Sequence, residues 1–201
     1  MASATKKPGA DGQAALAEYF ETLFQPLTGS SGSLPAAREA GGGRECPAVA
    51  VAPVPQSVIP VWTFALYGLG LALHRDAVTA IVPWPDVVGP PPAPRPGLVG
   101  LMGGGSRVQM IDVSAVIFPP SLRRRLPGEA RRPFTHAVVL KERDMALGCH
   151  GAPAEATFFP GEMRWHDRKG RRPWLLATES ARRTALLDVE ALLAALDEGC
   201  P

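Results

Sequence analysis

Apolar residues along this chain change their spacing twice. Near the start, Leu16, Tyr19, Phe20, Leu23 and Phe24 recur at intervals of three, four, seven and eight, the stripe of a short amphipathic helix. The pattern predicts a helix over residues 14–27, ended by Pro26. From residue 61 the period shortens. Runs at 61–66, 69–74, 78–82, 108–117, 135–140, 145–149 and 174–177 have strand length and strand composition. Their number and spacing predict a mainly β barrel or sandwich. Tyr67-Gly68-Leu69-Gly70 supplies glycines for a tight hairpin between the first two runs. Helical spacing returns only at the end, where Val189, Leu192, Leu193 and Leu196 form one face, Asp188 can cap and Gly199 can stop.

The stretches between these elements divide the chain. Residues 28–60 hold five Gly and five Pro with no aromatic residue, a composition that buries too little surface to offset the entropy of ordering. The expected organisation is a tail with a short helix over 1–27, a disordered linker over 28–60 and one β domain over 61–198. Residues 83–97 carry seven prolines, which suits a stiff surface loop and excludes a central strand. A helix this short is marginal alone in water, so its stripe needs a cover. Two readings stand side by side. Leu16, Tyr19, Phe20, Leu23 and Phe24 contact another protein, or they pack on the chain's own domain or on a second copy.

Composition narrows the function. With 201 residues and 46% hydrophobic content the chain can bury a core, and no apolar run reaches the length of a membrane span. A cytoplasmic protein without membrane insertion is expected. Cys46, Cys149 and Cys200 are an odd number at wide spacing, which suits reduced thiols. Net charge is +2, yet residues 121–183 hold 14 Lys and Arg against 7 Asp and Glu. That run is either a solvated surface or a face for an acidic partner.

Residues able to do chemistry are few and scattered. His74, His136, His150 and His166 are scattered without the spacing that would aim two at one metal. Cys149 and His150 are adjacent on a predicted strand, so their side chains point to opposite faces and the imidazole cannot readily take the thiol proton. Gly103-Gly104-Gly105 lacks the Lys-Ser/Thr and the helix of a phosphate loop, and reads as a turn. Asp112, within an apolar run, is expected to accept backbone or hydroxyl hydrogen bonds as a structural residue, and Asp188 to serve as a helix cap. No cofactor, metal or catalytic set is implied.

One stretch is more informative. Residues 97–118 place an apolar strand, three glycines and a second apolar strand interrupted by Asp112, and this resembles the central hairpin of the CheW family of chemotaxis coupling proteins. The resemblance extends over about residues 61–196. Phe64-Ala65-Leu66, the run 69–73 and Val78-Thr79-Ala80-Ile81 look like the family's first strands. Residues 98–113 resemble its Gly-apolar-x-Leu-Arg-Gly segment and the strand after it. Residues 146–150 and Leu186-Leu187-Asp188 look like its second half. Met163-Arg164-Trp165 and residues 170–175 are most similar to ParP-type members, which also carry an N-terminal extension.

The resemblance implies two intertwined five-stranded β sub-barrels with a C-terminal helix. It implies a non-enzymatic adaptor that docks the histidine kinase CheA, together with chemoreceptors and, for the ParP type, a localisation factor at the cell pole. The implied contact residues are Thr79 and Ile81 on the third run and Gly104 and Arg107 in the turn, with Ile81 taken as facing outward opposite Val78, Ala80 and Val82. Three departures stand out: the family's Leu-Arg-Gly turn reads Gly103-Gly104-Gly105, its strand glutamate is Ala80, and its second-half aspartate is His150. They remove directional groups a coupling surface would use. Two alternatives remain. An OB-like barrel could bind single-stranded nucleic acid, though aromatic residues are only 6% of the chain and its binding would fall steeply with salt. A degenerate CheW-like domain could merely dimerise.

Overall fold

The computed structural model of the chain describes residues 10–25, 58–85, 88–89, 97–102, 108–124, 134–141, 143–167 and 171–197. Their elements run α1 (Ala10–Phe24), β1 (Ile59–Leu66), β2 (Leu69–His74), β3 (Val78–Pro83), β4 (Val88–Gly89), β5 (Leu98–Met102) and β6 (Val108–Ile111). There follow α2 (Ser114–Ile117), α3 (Pro120–Arg123), β7 (His136–Leu140), β8 (Met145–Phe158), β9 (Met163–Trp165), β10 (Leu175–Glu179), β11 (Thr184–Leu187) and α4 (Val189–Asp197). The fold is mainly β with a C-terminal helix.

β8 organises the molecule. Its first half lies between β7, antiparallel with His136 opposite Cys149, and β6, parallel with Met110 opposite Ala146. Its second half pairs with β1, from Ile59 opposite Phe158 to Thr63 opposite Ala154. Two sheets therefore share this one strand, in the orders β8-β1-β2-β11-β10-β9 and β4-β5-β6-β8-β7-β3. Among the described residues no ladder joins the two ends of either sheet, so the expected sub-barrels are open. The β1–β2 hairpin turns at Tyr67 and Gly68, whose φ angles of 51° and 88° are the paired positive values that match strand twist.

Successive residues of the same strand feed different clusters. Ala72 of β2 and Leu186 of β11 join Val61, Phe158, Met163 and Ala177 inside the first sheet. Their neighbours Leu71, Leu73, Ala185 and Leu187 point the other way, into a central cluster between the sheets. The second sheet repeats this: Ala137 and Ala146 pack with Val108 and Met110, whereas Val138, Leu140 and Leu147 face the centre. Burial on both faces explains why these strands read as unbroken apolar runs rather than as an alternation. At Gly148 a Cβ would fall 2.7 Å from the Phe134 ring and 2.9 Å from Trp84, so only glycine lets those rings cross β8.

Several boundaries differ from the pattern. The predicted strand over 108–117 stops at Ile111, because Asp112 turns the chain: its carboxylate accepts the Ser114 amide at 2.9 Å and its amide donates to the Gly97 carbonyl at 2.7 Å, opening α2. The run 145–149 continues to Phe158 through Gly151, which takes φ of 75°, and Pro153. β1 begins at Ile59, two residues inside the expected linker, because Ile59 and Pro60 pair with Phe158 and Thr157. The helix predicted over 14–27 occupies Ala10–Phe24. The remainder of the expected linker, residues 28–57, lies outside the described residues, as do Gly104 and Arg107.

Candidate docking surface

Among the described residues Cys149 and the four histidines each sit in their own local contacts. Cys149 is fully buried in the central cluster, its thiol donating to the His136 carbonyl at 3.4 Å, and burial pushes its pKa up to about 11. It stays a thiol at neutral pH. The His150 ring sits between Tyr67 and Phe134, with centroids 4.9 and 5.2 Å away. His74 Nδ1 accepts the Asp76 amide at 3.3 Å, His136 Nδ1 lies 3.0 Å from the Thr135 hydroxyl and His166 Nε2 lies 3.2 Å from that of Thr178. Burial, then Arg164 and Arg172, hold His166 below the usual histidine pKa. Among the described residues no three His, Cys, Asp or Glu side chains gather where they could hold a metal, and no helix is long and apolar enough to cross a membrane.

Among the described residues β3 is an edge strand, paired only with β7. Its register slips between Val78 and Ala80, a bulge that reassigns its faces. Val78 opposes Leu140 and Ile81 opposes Val138, both central-facing residues, whereas Ala80 and Val82 oppose Val139 and Ala137. Directly opposed residues share a face. Ile81 therefore lies on the same side as Val78, not opposite to it as strict alternation implied, and it is half-buried, while Thr79 is exposed.

The α1 stripe is covered within the chain. Leu16 and Leu23 are 7% and 1% exposed in the central cluster, with Tyr19, Phe20 and Phe24 half-buried against it. The Tyr19 hydroxyl donates to the Ile117 carbonyl, and its ring meets Phe118 edge-on at 5.7 Å. Burial raises the Tyr19 pKa, with Arg172 opposing the shift. Of the two readings left open, packing on the chain's own domain is the arrangement found. Two arginines of the basic run hold the helix. Arg172 donates to the Thr22 hydroxyl at 3.2 Å and lies over the Tyr19 ring, and Arg183 pairs with Glu21 at 2.6 Å and lies over Phe24. Sequence reasoning missed both, because 150 and 162 residues separate the partners and no local pattern links them.

The structure of a known scaffold shares this architecture. The solved structure of the scaffolding protein TtCheW from Thermoanaerobacter tengcongensis is similar over 68% of this chain and 92% of its own, with a TM-score of 0.53 and 10% sequence identity. The chain has a CheW-like fold. No family model matches the sequence, and no curated protein matches it. At 10% identity the likeness is one of fold. In this CheW-like frame β3 carries Thr79 and Ile81 at a sheet edge, whereas the α1 stripe is covered.

Proposed function

We propose that this chain is a non-enzymatic adaptor of a chemotaxis signalling array, docking a CheA-type histidine kinase and chemoreceptors. The observation that carries the reading is the two-sheet fold, similar over nearly the whole length of a CheW scaffolding protein. Its mechanism is binding alone: an adaptor raises the local concentration of its partners without making or breaking bonds. ParP-like features at Met163-Arg164-Trp165 and residues 170–175 support attachment at the cell pole. The docking edge on this reading is β3, whose outer side carries no ladder among the described residues and which offers exposed Thr79 beside half-buried Ile81. A partner's β-rich domain would meet that edge with main-chain hydrogen bonds and apolar contact.

Calorimetric titration with the CheW-like regulatory domain of a CheA kinase tests this. Saturable one-to-one binding is expected, abolished by Thr79→Arg with the circular dichroism spectrum unchanged. Absence of binding by a folded chain, or full binding by Thr79→Arg together with Ile81→Asp, would sink the proposed contact.

A further inference from the structure

We propose that the seat of α1 is a helix-docking groove with an exchangeable occupant, which α1 holds in competition with an amphipathic helix of another protein. This goes beyond the adaptor reading and does not depend on which proteins the β sheets bind.

The seat has the parts such a groove needs. Its floor is aromatic and aliphatic: Phe118 lies 5.7 Å from the Tyr19 ring and 6.3 Å from Phe20, and Leu122 of α3 belongs to the same cluster. Its rim is cationic, with the Arg172 and Arg183 guanidiniums 5.2 and 5.7 Å above the rings of Tyr19 and Phe24. A helix with bulky apolar residues at i, i+3, i+4, i+7 and i+8 and a carboxylate to meet Arg183 is what this surface recognises.

α1 fits the seat incompletely. An open groove of about 260 Å³ runs between α1 and α3, bordered by Ala15, Glu18, Tyr19, Thr22, Pro119 and Leu122. Along this side α1 and α3 face each other across open space rather than in close contact. A partner helix with a larger residue where α1 has Ala15 would fill it.

The polar holds are also weak. Arg183 and Glu21 are 54% and 55% exposed, and exposed ion pairs contribute little in water. The central cluster draws its other members from both sheets, α2, α3 and α4, so the release of two leucines opens one edge of it rather than dismantling it. Thirty-four residues separate Phe24 from Ile59, a contour of more than about 100 Å, so α1 can leave its seat and remain attached. The tether keeps α1 in place by effective concentration until a tighter helix displaces it.

The test uses the full chain with a protease site placed at residues 41–43, cleaved after purification, and a labelled peptide of residues 10–25 as probe. After cleavage and dilution the α1 fragment is expected to leave, the remainder to keep its circular dichroism spectrum, and the probe to rebind. The uncleaved chain should bind the probe about tenfold more weakly or worse, because its own helix competes. An Ala15→Leu probe should bind several-fold tighter. A Glu21→Arg probe should bind more weakly and recover on an Arg183→Glu chain. Unfolding of the remainder, retention of the fragment at nanomolar dilution, equal probe binding before and after cleavage, or weaker binding by the Ala15→Leu probe would each overturn the proposal. No kinase or receptor enters these measurements, so their failure is separate from failure of the adaptor reading.

Discussion

α1 and α4 both cover the central cluster with leucines, yet they are held in different ways. α4 starts directly after β11, with the Asp188 amide bound to the Trp174 carbonyl at 2.8 Å and the Asp188 carboxylate accepting the Ala191 amide at 3.2 Å. Its Leu192, Leu193 and Leu196 reach the cluster because the chain has already been brought there. α1 arrives across 34 residues and is recognised by side chains, with Leu16 and Leu23 in the central cluster and Arg172 and Arg183 at its rim, much as a separate molecule would be. A helix delivered by the backbone loses little further freedom on docking, whereas a tethered one must offset its own loop-closure entropy.

The two helices should differ most at their leucines. Leu192→Ala removes a fully buried side chain from α4 and is expected to cost about 2–5 kcal/mol in a single cooperative unfolding transition followed by denaturant. Leu23→Ala removes an equally buried side chain from α1, but its global cost should be smaller, about 1–3 kcal/mol, because it is capped by the free energy of docking α1. Hydrogen exchange should show the α1 amides losing protection first. Equal costs, with both helices exchanging together, would make α1 as integral as α4.

The clamps sharpen the same contrast at lower energy. Arg183→Ala should cost less than about 1 kcal/mol, fall further in high salt and show coupling to Glu21→Ala in a double-mutant cycle. Arg143→Ala, which breaks the 2.6 Å contact to Glu190 of α4, should be similarly mild and leave exchange at α1 unchanged.

The smallest effect is one of pH. His166 has its pKa lowered by burial and by Arg164 and Arg172, so between that lowered value and the ordinary value near 6.5 the unfolded chain binds more protons than the folded one. Its contribution is complete above about pH 6.5 and declines as the pH falls through the lowered value. His166→Gln should flatten this acid-side loss in thermal melts, and Arg172→Ala should narrow it while loosening α1. A slope of opposite sign would mean that the ring is stabilised as a cation.

Much of the framework was legible along the chain. The runs at 61–66, 69–74, 78–82 and 135–140 fall on β1, β2, β3 and β7, and the leucine face at 189–196 falls on α4. β9 is three residues long, too short for any period to show, and β11 was expected only as the Leu186-Leu187-Asp188 lead into the helix. The face of Ile81 was misread because a bulge shifts one residue out of register, and nothing in Val78-Thr79-Ala80 announces it. The basic run over 121–183 read as a uniform property, although Arg172 and Arg183 serve α1 while Arg182 donates to the Thr157 carbonyl at 3.2 Å and lies over Phe158.

Local spacing by itself determined that this chain would be strand-rich, would end in a helix and would carry one further amphipathic helix near its start. These are properties of neighbours a few residues apart, which one segment contains whole. Only the tertiary structure decided that β8 would serve two sheets, that consecutive residues of one strand would enter different clusters and that the α1 stripe would close on its own domain. Each of those outcomes is a choice among distant partners. It depends on the summed burial and charge of surfaces assembled from residues as many as 162 positions apart, which no local period records.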